Sequence, residues 1–95
     1  MALKENDKKQ PEYHVTLTRQ AEKFLSKIPK NYYQLISEHL VALGNNPFPH
    51  GSIKLHGNDN DYRIRVGPYR ILYTVHHKEL IIAVVTIGHR KDVYD

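Results

Sequence analysis

Cysteine is absent from the sequence, which excludes disulfide bonds, thiolate metal sites and thiol-dependent catalysis. The sequence also has no apolar run approaching the ~20 residues that a membrane-spanning helix needs. Residues 1–11, MALKENDKKQP, are polar and rich in lysine, and they have none of the apolar stretch of a secretory signal. We therefore expect a cytoplasmic protein that does not associate with a membrane.

The length of 95 residues allows one domain with a single modest core. Residues 1–12 are expected to be a disordered N-terminal segment, and residues 13–95 are expected to form the domain. The chain has 14 Lys and Arg against 10 Asp and Glu, and its pI is near 9.4. This excess of positive charge favours an anionic partner, such as a nucleic acid or an acidic protein.

The hydrophobic periodicity changes from helical in the first half of the chain to alternating in the second half. The predicted elements in chain order are a strand at 13–18, helices at 19–28 and 31–43, and strands at 62–66, 69–76 and 80–87. A further short strand candidate lies at 52–56. The order β-α-α-β-β-β predicts an α+β fold, in which a helical hairpin packs on a four-stranded, mainly antiparallel sheet.

Arginines collect on one face of the predicted hairpin between the strands 62–66 and 69–76. If Gly67-Pro68 is a two-residue loop, Arg65 lies opposite Arg70, and Arg63 lies opposite Leu72 on the same face. Like charges facing each other destabilise a sheet by roughly 0.2–1 kcal/mol per pair, which a bound anion would offset. Each arginine alone is typical of a solvated surface, but their convergence predicts a phosphate site.

Four further side chains are candidates for the same site. The antiparallel return of the last strand is expected to bring His89 and Arg90 beside the Gly-Pro turn, with Tyr94 following. His89 is the candidate for proton transfer, because histidine exchanges protons near neutral pH; the alternative is a partly exposed histidine after a strand. Lys54 is either another phosphate contact or an edge-strand lysine that discourages aggregation. The seven histidines lack the spacing of zinc sites, so we expect no metal and no cofactor.

The stretch from Ile53 to Tyr94 resembles the C-terminal half of RelE-type toxins. The shared motifs are K-L-x-G, then Y-[RK]-[IV]-[RK]-x-G-x-Y-R-[IV]-[IL]-Y across the hairpin, and G-H-R-x-x-V-Y at the end. Each motif alone is weak, but the set in this order and spacing is specific. The N-terminal half fits the family only by its pattern, so the resemblance covers roughly residues 13–94.

The resemblance implies a toxin that cleaves messenger RNA in the ribosomal A site, where the ribose 2′-hydroxyl attacks the adjacent phosphate. By position in the motifs, Arg70 and Arg90 are similar to the family's phosphate-stabilising arginines. Arg63 and Arg65 match a pair that is lysine in the best-studied member, and Tyr94 matches its C-terminal tyrosine. Because arginine is a poor general base, Arg63 and Arg65 are expected to bind and polarise the phosphate. The tail from Arg90 to Tyr94 is shorter than in that member.

The resemblance also implies three partners, which are messenger RNA, the ribosome and a cognate antitoxin that is acidic and partly disordered. Two other functions stay open at this point. One is a ParE-type toxin that poisons gyrase, which shares the fold and the antitoxin partnership. The other is a non-catalytic RNA-binding module, which the lack of an evident general base favours. The arginines gathered on one face of the hairpin and the G-H-R…Y ending favour the endoribonuclease.

Overall fold

The computed structural model describes residues 12–57, 59–89 and 91. The predicted disordered N-terminal segment up to residue 11, together with Arg90 and Tyr94, lies outside the described residues. The elements in chain order are β1 (His14–Leu17), α1 (Arg19–Leu25), α2 (Lys30–Asn45), β2 (Ile53–Lys54), β3 (Asp61–Val66), β4 (Tyr69–His76) and β5 (Ile81–His89). Among these described residues, neither helix is both long and apolar enough to cross a membrane.

The strands form a five-stranded sheet in the order β1-β5-β4-β3-β2. β1 runs parallel to β5, and every other neighbouring pair is antiparallel. The predicted α+β fold, with two helices packed on a mainly antiparallel sheet, is confirmed. The predicted count of four strands was one too low, because Ile53 and Lys54 pair with Arg63 and Tyr62 and add β2 at the edge.

Local sequence signals explain where the helices begin and end. The hydroxyl Oγ1 of Thr18 accepts a hydrogen bond from the backbone N–H of Ala21 at 3.3 Å, so Thr18 is the N-cap of α1, as predicted. α1 ends at Leu25 rather than continuing to Ile28, and residues 26–28 form a turn before Pro29, which disfavours helical geometry at Ile28. Pro29 itself is the N-cap of α2.

The core lies between the two helices and one face of the sheet. Alternate residues of β4 are buried on this face, whereas the residues between them are only partly buried. The buried hydrophobic residues are Tyr13, Ala21, Leu25, Ile36, Leu40, Leu43, Ile64, Val66, Tyr69, Ile71, Tyr73, Val75, Ile82, Val84 and Ile87. The core therefore uses one face of β3 and β4, and the side chains on the opposite face of these strands do not belong to it.

Candidate phosphate-binding site

The β3–β4 hairpin has the predicted register, which places Val66 opposite Tyr69 and Arg65 opposite Arg70. Gly67 has a φ of 59°, the positive value that the first loop position of a type II′ turn requires. Pro68 suits the second loop position, because its ring fixes a negative φ. The Gly-Pro dipeptide therefore sets the register that pairs the two arginines.

The side chains of Arg63, Arg65 and Arg70 share the face of the sheet that points away from the core; we call these three side chains the arginine face. The strand neighbours Ile64 and Ile71 are 4% and 0% exposed and face the helices, so the arginines point the other way. Arg65 is exposed, whereas Arg63 and Arg70 are half-buried. Directly opposed residues have Cβ atoms about 4.5–5.5 Å apart, so Arg65 and Arg70 can bind one phosphate together.

The surroundings of the arginine face leave room for an anion at the turn end. Gly88 on β5 lies opposite Arg70 and contributes no side chain there. The carboxylate of Asp61 lies at the other end of β3, where its Oδ1 accepts a hydrogen bond from the Thr74 hydroxyl at 2.6 Å. Positive charge is therefore concentrated near the turn, and the carboxylate of β3 is engaged at the far end.

The structure does not bring His89 to the arginine face. His89 pairs with Tyr69, and its ring centroid is 5.1 Å from that of Tyr69 and 6.1 Å from that of Phe24, on the helix side of the sheet. Lys54 is placed opposite Tyr62, which also belongs to the helix side. Of the predicted site residues that are described, the structure therefore unites Arg63, Arg65 and Arg70 alone.

A cleft of about 500 Å³ opens at the free edge of β3, beside the arginine face. Its lining residues are His39, Pro49, His50, Gly51, Ile53, Arg63, Ile64 and Arg65. His39 comes from α2 and His50 from the loop before β2, and neither was predicted as a site residue. No motif marks these histidines, because segments far apart in sequence bring them together. In the part of the chain that the structure describes, no group of three or more histidine or acidic residues could hold a metal ion.

Comparison with known proteins gives consistent matches. Residues 15–94 match the family model described as the ParE toxin of the type II toxin–antitoxin system parDE. A protein of Methanocaldococcus jannaschii that is assigned as a toxin, RelE1, is 28% identical over 85 residues, which cover 86% of this chain and 94% of that protein.

Two solved structures of toxin–antitoxin complexes share the fold. A chain of the archaeal RelE–RelB complex from Pyrococcus horikoshii OT3 has a TM-score of 0.77 at 31% identity, with 86% of this chain and 99% of that chain covered. A chain of the RelB–RelE antitoxin–toxin complex from Methanococcus jannaschii has a TM-score of 0.68 at 28% identity, with 85% and 96% covered.

Proposed function

Since this chain belongs to the ParE toxin family of type II toxin–antitoxin systems and is a toxin of the RelE type, we propose that it is an endoribonuclease that cleaves messenger RNA in the ribosomal A site. The observation that carries this proposal is the arginine face. Three arginines lie there on one face of the hairpin, and two of them, Arg65 and Arg70, are directly opposed. Guanidinium groups stay ionised at physiological pH and present donors in a planar fork that fits phosphate oxygens.

The proposed reaction needs a base for the 2′-hydroxyl, cations that stabilise the phosphorane and an acid for the leaving oxygen. The ribose 2′-oxygen attacks the adjacent phosphorus, and the bond from phosphorus to the 5′-oxygen breaks, leaving a 2′,3′-cyclic phosphate and a 5′-hydroxyl. The phosphorane that forms carries more negative charge on its oxygens than the starting diester. Arg63, Arg65 and Arg70 would stabilise that charge, a kind of contribution worth about 10²–10³ in rate for a single donor.

We further propose that the toxin acts in the cytoplasm and that a cognate antitoxin inhibits it. The similar structures from Pyrococcus horikoshii and Methanococcus jannaschii are complexes of a toxin with its antitoxin. The formal net charge of +4 favours an acidic antitoxin. A partly disordered chain that folds on binding can cover a large surface of such a small domain.

The chemistry of the products tests the proposed nuclease function. The toxin is incubated with purified ribosomes that carry a defined messenger RNA and an empty A site, and the RNA ends are mapped. We expect a cut within the A-site codon that leaves a 2′,3′-cyclic phosphate. Intact RNA that stays bound to the protein would instead indicate a non-catalytic RNA-binding module.

Gyrase poisoning is the second candidate function, because the matching family model describes a ParE toxin. A supercoiling assay with purified gyrase, run beside the ribosome assay with the same protein sample, separates the two functions. We expect supercoiling to proceed normally at toxin concentrations that cleave the RNA. Inhibited supercoiling together with intact RNA would replace the nuclease by a ParE-type activity.

A further inference from the structure

The cleft at the edge of β3 is continuous with the arginine face, because Arg63 and Arg65 belong to both. It exists because β2 pairs only with Tyr62 and Arg63: the chain joins the sheet edge at Ile53, opposite Arg63, and leaves the edge beside Arg65 uncovered. Gly51, two residues before Ile53, allows the turn into β2 with a φ of 96°, which L side chains rarely adopt. The result is a cationic recess beside the proposed position of the scissile phosphate.

The size and lining of the cleft suit one unit of an RNA strand. Its volume of about 500 Å³ lies within the range of small-ligand pockets, about 300–1,000 Å³. Two histidine rings and two arginines line it, and the lining contains no carboxylate. A sugar-phosphate unit would therefore meet donors and cations on several sides without repulsion from an acidic group.

His39 has a defined tautomer when its ring is neutral. Its Nδ1 atom lies 2.9 Å from the backbone carbonyl oxygen of Leu35, one helical turn earlier in α2. A carbonyl oxygen can only accept a hydrogen bond, so Nδ1 is the donor and carries the proton. The lone pair of the neutral ring is consequently on Nε2. This hydrogen bond also restricts the orientation of the ring, so a residue that lines the cleft carries a proton acceptor at a defined ring nitrogen.

We propose that the cleft holds the ribose on the 5′ side of the scissile phosphate and that His39 is the general base. Nε2 of His39 accepts the proton of the 2′-hydroxyl while the 2′-oxygen forms its bond to phosphorus. The bond to the 5′-oxygen breaks, its electron pair stays on that oxygen, and the oxygen takes a proton from solvent. His39 then releases its proton to solvent. This assignment rests on the proposed nuclease function.

The assignment supplies the group that the arginine face lacks. Arginine stays protonated throughout the physiological range, so Arg63 and Arg65 can stabilise charge but cannot accept a proton. His89 lies on the helix side of the sheet, against Tyr69 and Phe24. His39 lines the same cleft as Arg63 and Arg65, so the proposed base and two of the cations belong to one recess.

The test measures single-turnover cleavage on programmed ribosomes by the full chain and by His39→Ala. A general base contributes typically about 10²–10⁴ in rate, so we expect a loss of that size. Imidazole added to the buffer should restore part of the rate, because it can enter the space vacated by the side chain.

The wild-type rate should fall as the pH is lowered, and His39→Ala should lose this dependence. His76→Ala removes an exposed histidine from the end of β4 and is the matched control, expected to cleave normally.

Each other outcome overturns the assignment in a recognisable way. A slow His39→Ala that imidazole does not restore, and that keeps the wild-type pH profile, would give His39 a structural role. Cleavage at the full rate by His39→Ala, with imidazole rescue of His50→Ala instead, would transfer the role to His50. A wild-type chain that cuts no RNA would overturn both the nuclease function and the general base. Thermal melts of each variant verify that the proteins compared are folded.

Discussion

Arg65 and Arg70 are directly opposed neighbours on β3 and β4, two residues of like charge held together by the shortest loop in the sheet. Such a pair destabilises a sheet by about 0.2–1 kcal/mol relative to a neutral pair. Gly88, opposite Arg70 on β5, adds neither a countercharge nor bulk. An anion bound between Arg65 and Arg70 would therefore offset the repulsion between these two residues.

Replacing Arg65 by glutamine should separate function from stability. Arg65 is exposed, so Arg65→Gln removes little packing and relieves the repulsion with Arg70. We expect the free energy of unfolding to stay the same or rise by up to about 1 kcal/mol, while RNA cleavage falls by about 10²-fold. Denaturant melts and the ribosome assay measure the two quantities. Lys78→Gln, a neutralised cation in the β4–β5 turn, is the control that should cleave normally. An Arg65→Gln protein that is inactive because it unfolds would contradict the prediction.

Inorganic phosphate should stabilise the free protein through the arginine face. An anion that binds only the native state at ten times its Kd contributes about 1.4 kcal/mol, which corresponds to a rise in Tm on the order of 5–10 °C for a domain of this size. Salts also stabilise proteins by general exclusion from the surface. The double variant Arg65→Gln/Arg70→Gln in the same buffer measures that background. Equal shifts in Tm for both proteins would remove the support for an anion site.

The hairpin register was predictable because two independent signals agreed on it. The Gly67-Pro68 loop fixed the pairing, and the alternation of arginine with apolar residues in 62–66 fixed the faces. The strand β2 could not be recognised from the sequence, because alternation of apolar and polar side chains cannot be identified in only two residues. His39 and His50 were missed for another reason: the cleft is assembled from a helix, a loop and a strand.

The face on which His89 lies could not be predicted, because the sequence pattern does not show that β5 contains a β-bulge. Between β4 and β5, Tyr73 pairs with Val84 but Leu72 pairs with Thr86, so Val85 is the extra residue of a β-bulge. Beyond the bulge, every side chain of β5 is on the face opposite to the one that simple alternation predicts. Alternation from Ile82 and Val84 would have put His89 with the arginines, and the bulge turns it to the helix side.

Gly67 should be needed for both its backbone conformation and its lack of a side chain. A Cβ at this position would lie 3.0 Å from Cε1 of Tyr32, and the φ of 59° is strained for an L side chain. We expect Gly67→Ala to lower the free energy of unfolding by about 1–3 kcal/mol. Gly57→Ala is a matched control, because Gly57 also has a positive φ, 82°, but nothing lies within 4 Å of its Cβ position. A smaller loss at Gly67 than at Gly57 would contradict the contact with Tyr32.

Tyr73 should make the protein lose stability at alkaline pH. Burial raises the pKa of the Tyr73 hydroxyl from 10.0 to about 12. Above pH 10 the unfolded chain releases this proton while the folded chain keeps it, so stability is complete below pH 10 and falls until about pH 12. The loss is on the order of 2–3 kcal/mol.

The variant Tyr73→Phe tests this dependence, because it has no hydroxyl to titrate. At neutral pH it loses the hydrogen bond that Tyr73 donates to the carbonyl oxygen of Pro47 at 2.8 Å, which costs roughly 1–3 kcal/mol. Denaturant melts between pH 8 and 11 measure the free energy of unfolding of both proteins. We expect the difference between Tyr73→Phe and wild type to become smaller as the pH rises. The exposed Tyr33 gives the control Tyr33→Phe, whose alkaline profile should match wild type. Parallel profiles for Tyr73→Phe and wild type would show that the hydroxyl does not titrate as proposed.

Cleavage should depend strongly on the ribosome. Three arginines and a cleft that takes one ribose can bind a single sugar-phosphate unit, but they do not hold a flexible RNA strand with its 2′-oxygen in line with the departing 5′-oxygen. Positioning of reacting groups can supply roughly 7–11 kcal/mol of a reaction barrier. A ribosome that presents the A-site codon in a fixed conformation would supply this contribution from outside the toxin.

We therefore expect negligible cleavage of purified messenger RNA and rapid cleavage of the same RNA on programmed ribosomes with an empty A site, measured as single-turnover rates. Comparable rates on the two substrates would contradict this dependence, because they would mean that the chain aligns the RNA strand without the ribosome.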